Sequence, residues 1–167
     1  NMDSNLNQLK AQVYDKCGLI ITDYQVEKES KEYAACRYKL NGRAVISRNS
    51  KITPKKIGQF VCFWKRNPIG IIAPFEASEN FDFYIVNART PKEFGQFVFP
   101  KTVLIERGII STSIKEGKRA FRVYPKWDIA KNKQAIRTQN WQLAYFYIIN
   151  ESTDFNKVAE LYNTEQI

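Results

Sequence analysis

Two stretches decide how this chain folds: Phe81-Asp82-Phe83-Tyr84-Ile85-Val86 and, beyond a turn at Thr90-Pro91, Gly95-Gln96-Phe97-Val98-Phe99-Pro100-Lys101. Both are dense in aromatic and β-branched residues and bounded by breakers, the composition of buried strands. Each also carries a charge that a buried strand avoids, Asp82 near the start of one and Lys101 at the end of the other. Working outward, Gly58-Gln59-Phe60-Val61-Cys62-Phe63-Trp64-Lys65-Arg66 repeats the same glycine entry and basic exit. It reads as a central strand of the same sheet, with Lys65 and Lys101 placed where strands leave the core and α/β sheets commonly place function.

Amphipathic segments enclose these strands. Leu6, Leu9, Val13 and Cys17 recur at helical spacing between a Ser4 cap and Gly18. Residues 19–26 are apolar without a clear period. Tyr38 and Leu40 alternate with Arg37 and Lys39, and Asn41-Gly42 marks a tight turn into a returning strand, Arg43 to Arg48. A hairpin tipped with Arg and Lys suits an arm against a phosphate backbone. Residues 102–108 form a short helix closed by Gly108, and Gly117 to Pro125 form another strand. The longest helix is expected over 132–150, with Ile136, Leu143, Ala144, Tyr147 and Ile148 inward. A last helix follows a Thr153 cap, with Phe155, Val158, Ala159 and Tyr162 inward. The pattern predicts one α/β (α+β) domain over residues 2–167, a mixed central β-sheet flanked by helices. Met2 reads as the natural start, with Asn1 a remnant ahead of it.

Composition excludes several chemistries. The 167 residues contain no histidine, so no Ser-His or Cys-His dyad and no imidazole base is available. The cysteines, Cys17, Cys36 and Cys62, are scattered, which suits reduced core thiols of a cytoplasmic protein more than a zinc site. No apolar run is long enough to span a bilayer and no signal peptide is evident. Any catalysis would fall to carboxylates, lysine, tyrosine or a hard cation on oxygen ligands.

Charge is distributed unevenly. The net charge is +9, from 26 basic and 17 acidic residues. Residues 33–75 hold no acid and nine bases, among them Arg48, Lys55, Lys56, Lys65 and Arg66. Residues 115–137 hold eight bases, among them Lys118, Arg119 and Arg122, against Glu116 and Asp128. Such segments make either a solvated surface or a face for a polyanion. Aromatic residues between these cations, Tyr124 and Trp127, can stack on bases, or the strand can be an edge with snorkelling cations. Lys131, Lys133 and Arg137 fall in the first turns of the 132–150 helix, where cations oppose the helix dipole and a bound anion would relieve them.

Several ordered phrases resemble the MepB family of small bacterial proteins. They are Thr53-Pro54-Lys55-Lys56, Gly58-Gln59-Phe60-Val61, Trp64-Lys65-Arg66, Asp82-Phe83, Gly95 to Lys101, Gly117-Lys118-Arg119, Arg122-Val123-Tyr124-Pro125 with Trp127, Thr138-Gln139 and Trp141-Gln142. Members look like relatives of the PD-(D/E)XK phosphodiesterase fold. The resemblance implies a restriction-endonuclease-like core, DNA or RNA as partner, and Mg²⁺ held by an Asp and by an acid two residues before a Lys. Asp82 matches the Asp, as catalytic and metal-binding residue, and Lys101 matches the Lys. The position two before Lys101 is Phe99, which cannot ligate a cation that wants six oxygens. Three functions follow as expectations: nucleic-acid binding on a nuclease-like scaffold without efficient catalysis, an active Mg²⁺-dependent nuclease, or an accessory binding protein of stress or drug response. The binding surface is expected at Arg48, Lys55, Lys56, Lys65, Arg66, Lys118, Arg119, Arg122, Tyr124 and Trp127.

Overall fold

The computed structural model describes residues 2–163. The two deciding stretches become β8 (Phe83–Arg89) and β9 (Phe94–Pro100), paired antiparallel with Phe83 opposite Pro100 and Val86 opposite Phe97. They lie in a six-stranded mixed sheet with β1 (Ile21–Val26), β2 (Cys36–Leu40), β3 (Arg43–Asn49) and β11 (Phe146–Ile148), in the order β1-β2-β3-β8-β9-β11. Residues 83–88 are all buried because both faces of the sheet are covered. Phe83 and Ile85 point to one side, Tyr84 and Val86 to the other.

One face carries helices. Helix α1 (Ser4–Leu9) continues through a π-helical and a 3₁₀ turn to Cys17 and ends at Gly18, whose φ of 68° permits the left-handed exit. It packs with α4 (Phe155–Asn163) against Tyr38, Val45, Phe83 and Val98. The caps differ from expectation by one residue each. Asp3 replaces Ser4, accepting from the Asn5 N–H at 3.1 Å, and Asp154 replaces Thr153, accepting from the Lys157 N–H at 3.1 Å. A carboxylate at the cap adds charge to the same geometry. On α4, Val158, Leu161 and Tyr162 face inward while Phe155 and Ala159 are exposed.

A polar hub holds this face together. Gln96 is fully buried, and its Oε1 accepts from the hydroxyls of Tyr147 and Tyr162, each at 2.6 Å. Tyr162 and Tyr38 both bond Tyr14, at 2.7 and 2.8 Å, and Gln96 Nε2 donates to Asn87 at 3.0 Å. The network joins α1, β2, β8, β9, β11 and α4. Buried hydroxyls of this kind stabilise only while every member has a partner.

The opposite face carries a second layer. β3 and β8 are parallel, so the chain must cross over between them. The crossover contains β4 (Lys51–Ile52), β5 (Gln59–Cys62), β6 (Trp64–Arg66) and β7 (Ile72–Pro74). β5 therefore leaves the main sheet and joins β4 and β10 (Ala120–Val123) in a three-stranded sheet, while β6 and β7 form a hairpin. The expectation of one sheet containing Val61 is corrected here. Val61 and Phe63 are buried against Tyr84 and Phe75 across the layers, so their hydrophobicity is that of an interlayer core. α2 (Lys101–Glu106) and α3 (Lys133–Gln142) complete the layer.

The 132–150 segment is corrected as well. α3 stops at Gln142, one 3₁₀ turn covers Leu143–Tyr145, and β11 pairs Phe146 with Phe97. Tyr147 and Ile148 are strand residues whose spacing happened to fit a helix. The Asn41-Gly42 turn is present, with φ of 49° and 83°, but its strands are inner members of the sheet and not a projecting arm. Residues 19–26, without a clear period, supply edge strand β1. Cys36 and Cys62 are buried and Cys17 half-buried, all as free thiols. Among the described residues no helix is long and apolar enough to cross a membrane.

Candidate nucleic-acid interface

β10 forms the floor of a groove of about 790 Å³. Two glutamines of α3 fix that strand. Gln142 is fully buried; its Oε1 accepts from the Tyr124 N–H at 2.8 Å and its Nε2 donates to the Arg122 carbonyl at 2.9 Å, as a neighbouring strand would. Gln139 Nε2 donates to the carbonyls of Pro125 and Asp128 at 3.0 and 2.8 Å. The loop before β5 forms one wall. Arg122 holds it through Thr53 Oγ1 at 2.6 Å and the Gly58 carbonyl at 3.3 Å. Gly58, at φ 83°, lies against the Tyr124 ring, and a Cβ there would stand 2.7 Å from it. The first turns of α3, capped by Asn132 on the Ala135 N–H at 2.8 Å, form the other wall.

Among the described residues seven cations line the groove, Lys55, Lys56, Arg107, Lys118, Arg122, Lys131 and Arg137, and no carboxylate does. Elsewhere several cations are matched with acids: Lys10 with Asp15, Arg37 with Glu27, Lys39 with Asp23, Lys65 with Glu76 and Glu79, Arg66 with Glu29, Arg119 with Glu116. None of these ion pairs includes a groove residue. Lys55, Lys56, Lys131 and Arg137 are exposed. Phe121, Tyr124 and Trp141 lie half-buried among them, and the Arg107 guanidinium sits 5.0 Å from the centre of the Trp141 ring. Concentrated positive potential with aromatic surface is what a nucleic-acid strand requires.

Half of the residues expected at the interface meet here: Lys55, Lys56, Lys118, Arg122 and Tyr124. Lys65 and Arg66 are engaged by acids, and Arg66 also stacks over Trp64 at 5.5 Å. Arg119 pairs with Glu116 at 3.4 Å, and Trp127 packs edge-on against Phe146 at 5.7 Å. The anion site suggested by the basic first turns of α3 falls on the groove through Lys131 and Arg137, while Lys133 is exposed outside its lining. Arg107 and Trp141 were missed as site residues. No local pattern marks Arg107, which reaches the groove only because α2 ends beside α3.

Arg48 is corrected outright. It is 2% exposed, beneath the second layer on the side of β3 that carries Ile46, and cannot meet a phosphate at the surface. Its Nη1 donates to the Ser47 carbonyl at 3.0 Å, its Nε has no acceptor, and no ion pair with it occurs among the described residues. A buried charge in that state costs stability. Arg48→Met is expected to raise stability by about 1–3 kcal/mol in thermal melts, with nucleic-acid affinity unchanged. A fall in stability would show instead that the guanidinium is fully compensated.

Asp82 and Lys101 are neighbours through the backbone, the Lys101 N–H donating to the Asp82 carbonyl at 3.0 Å. Their side chains serve other partners. Asp82 Oδ2 accepts from the Ala44 N–H at 2.8 Å, closing the junction between β3 and β8. Lys101 opens α2, and its ammonium donates to the Glu79 carbonyl and lies 5.4 Å from the Phe81 ring centre. Phe99 is fully buried between Trp141 and Phe97. Among the described residues no group of three or more His, Cys, Asp or Glu could hold a metal. The donor set around Asp82 does not fit a Mg²⁺ centre.

Comparison with known proteins agrees with this architecture. Among solved structures, a crystal structure of MepB superposes with a TM-score of 0.78 at 33% identity, over 90% of this chain and 100% of that one. A bacterial homing endonuclease aligns with a TM-score of 0.44 at 15% identity, over 83% of this chain and 82% of that one, a likeness that sets no residue correspondence. No curated protein matches. The MepB-like family matches residues 27–148, a span that contains every groove residue. The chain belongs to the MepB-like family.

Proposed function

We propose that this protein binds nucleic acid through the groove over β10 and does not cleave it efficiently. One observation carries the reading: among the described residues, seven cations from four segments line one groove, no carboxylate lines it, and none of the seven is in an ion pair. Leaving this many like charges together disfavours the free protein and is offset when phosphates enter. Free thiols at Cys17, Cys36 and Cys62 suit a reducing compartment such as the cytoplasm. Lys65, Arg66 and Arg119 contribute at most as a rim, once drawn from their acids.

Asp82 and Lys101 act in this reading as structural residues. Asparagine can still accept from the Ala44 N–H, so Asp82→Asn should bind oligonucleotides within about twofold of the parent and keep its stability. Asp82→Ala should lose about 1–2 kcal/mol by orphaning that N–H. Fluorescence anisotropy and a gel assay with Mg²⁺ or Mn²⁺ test both halves. Tight binding without cleavage supports the proposal. Metal-dependent cleavage that disappears in Asp82→Asn and Lys101→Ala would replace it with a nuclease, and absence of any binding would end it.

A further inference from the structure

We propose that Arg122 is a positioning residue of the interface: its guanidinium braces the loop of residues 53–58, and Lys55 and Lys56 on that loop, not Arg122, meet the phosphates. This rests on the groove being the nucleic-acid interface and deepens it by dividing its cations into phosphate contacts and a brace. Arg122 Nη2 donates to Thr53 Oγ1 at 2.6 Å, and its Nη1 donates to the carbonyls of Ile57 and Gly58 at 3.4 and 3.3 Å. Both terminal nitrogens are therefore committed to protein oxygens, one at each end of the loop. A planar fork that bridges two such points is a property of arginine; a lysine ammonium is a point charge and spans them poorly.

The loop has little else to hold it. Outside the β4–β5 ladder, no backbone–backbone hydrogen bond among the described residues involves residues 54–57. Pro54, Lys55, Lys56 and Ile57 are exposed, whereas Arg122 is half-buried, so an incoming phosphate reaches the lysines first. The end of the loop is seated where Gly58 lies against the Tyr124 ring, just beyond β10. Arg122 itself lies on β10, opposite Phe60 and across β5 from β4, so the brace spans the three-stranded sheet. Lysines on an unfixed loop lose freedom when a phosphate backbone binds. On a braced loop that freedom is already gone, and such preorganisation raises affinity without a new contact.

Two variants of the full chain separate a brace from a phosphate contact. Thr53→Val keeps the shape and every charge but removes the acceptor for Nη2. Arg122→Lys keeps the charge but not the fork. Binding is read by fluorescence anisotropy at low salt on a mixed-sequence DNA oligonucleotide of about 16 nucleotides and on its duplex, and the tighter probe is carried forward. Each variant should weaken binding about fivefold. In a Lys55→Ala, Lys56→Ala background the same changes should cost less than about 1.5-fold, because the brace acts only through those lysines. A guanidinium that met phosphate itself would give the opposite pattern. Thr53→Val would then free a donor and leave affinity unchanged or higher, and Arg122→Lys would stay within about twofold of the parent. Either result overturns the proposal, as do equal losses in both backgrounds, the mark of a general effect on the fold, or no loss from Lys55→Ala, Lys56→Ala itself. In all of these the parent binds and the interface stands. A parent that binds neither probe ends both readings.

Discussion

Lys55→Glu, Lys118→Glu and Arg137→Glu together are expected to lower nucleic-acid affinity by about a hundredfold or more at moderate salt, because each removes a phosphate partner and adds a repulsive charge. The three residues come from the loop before β5, the approach to β10, and α3, so no local rearrangement accounts for a common effect. None is in an ion pair among the described residues, so stability should change by no more than about 0.5 kcal/mol per site. A control separates groove from net charge. Lys10→Glu, Lys39→Glu and Lys92→Glu take the net charge from +9 to +3 as well, two units per reversal, yet touch no groove residue. Their loss should stay within about threefold. Equal losses in both triple variants would mean that affinity follows net charge alone.

The second large effect is alkaline unfolding. Burial pushes the Tyr14 hydroxyl up to about 12, against hydrogen bonds from Tyr162 and Tyr38 that lower it. Burial also raises Tyr38, Tyr84, Tyr147 and Tyr162 well above the ordinary value, and the Cys36 thiol to about 12. These groups keep their protons in the fold after the unfolded chain has released them. Stability from the tyrosines is therefore fully present below pH 10 and falls as pH rises toward the folded values. The slope is about 1.4 kcal/mol per pH unit for each tyrosine, and Cys36 adds to the trend from about pH 9. With five such tyrosines, a fold of ordinary stability, about 5–15 kcal/mol, should unfold within about two units above pH 10. Tyrosinate absorbance followed beside far-ultraviolet circular dichroism should show the exposed rings titrating first, then one step that coincides with unfolding. Smooth titration of every tyrosine near pH 10 with the fold intact would refute the tight burial of the network.

Much of the fold was legible from short-range chemistry. The strands at Phe83 and Phe97, the Asn41-Gly42 turn and the left-handed exits at Gly18 and Gly108 each rest on residues whose backbone options are few. The glycine-glutamine echo proved meaningful in both places. Gly58 and Gly95 each admit an aromatic ring, Tyr124 or Phe146, and Gln59 and Gln96 are each buried hydrogen-bonding residues. Sheet membership was not legible at Val61. A buried strand shows its hydrophobicity but not its partner, and the crossover between β3 and β8 drew β5 into another layer. The helix beyond Gln142 was overextended because Leu143, Tyr147 and Ile148 fit a period of 3.6 by chance, while pairing with β9 won locally.

For the interface, charge counting found the two basic segments but could not sort cations by partner. Arg48 and Lys55 look alike in sequence, yet one is sealed between layers and the other exposed on the groove. Their difference lies in strand alternation combined with the second layer above β3. Arg66 and Arg119 were likewise indistinguishable from Lys118 until Glu29 and Glu116 were brought beside them. The basic first turns of α3 were the most informative local signal, because cations there run against the helix dipole and α3 is exposed along the groove. Arg107 and Trp141 depend on how α2 and α3 meet, a long-range fact.

The salt dependence of binding tests the central claim most directly. If phosphates enter a groove lined by Lys55, Lys56, Arg107, Lys118, Arg122, Lys131 and Arg137, the logarithm of affinity must fall linearly with the logarithm of salt concentration, by about 0.7–0.9 per phosphate engaged. Four or more contacts predict a slope steeper than about −3 for the parent, reduced by about 2–3 in the Lys55→Glu, Lys118→Glu, Arg137→Glu variant. A parent slope near zero, or the same steep slope in parent and variant, would contradict an interface at the groove.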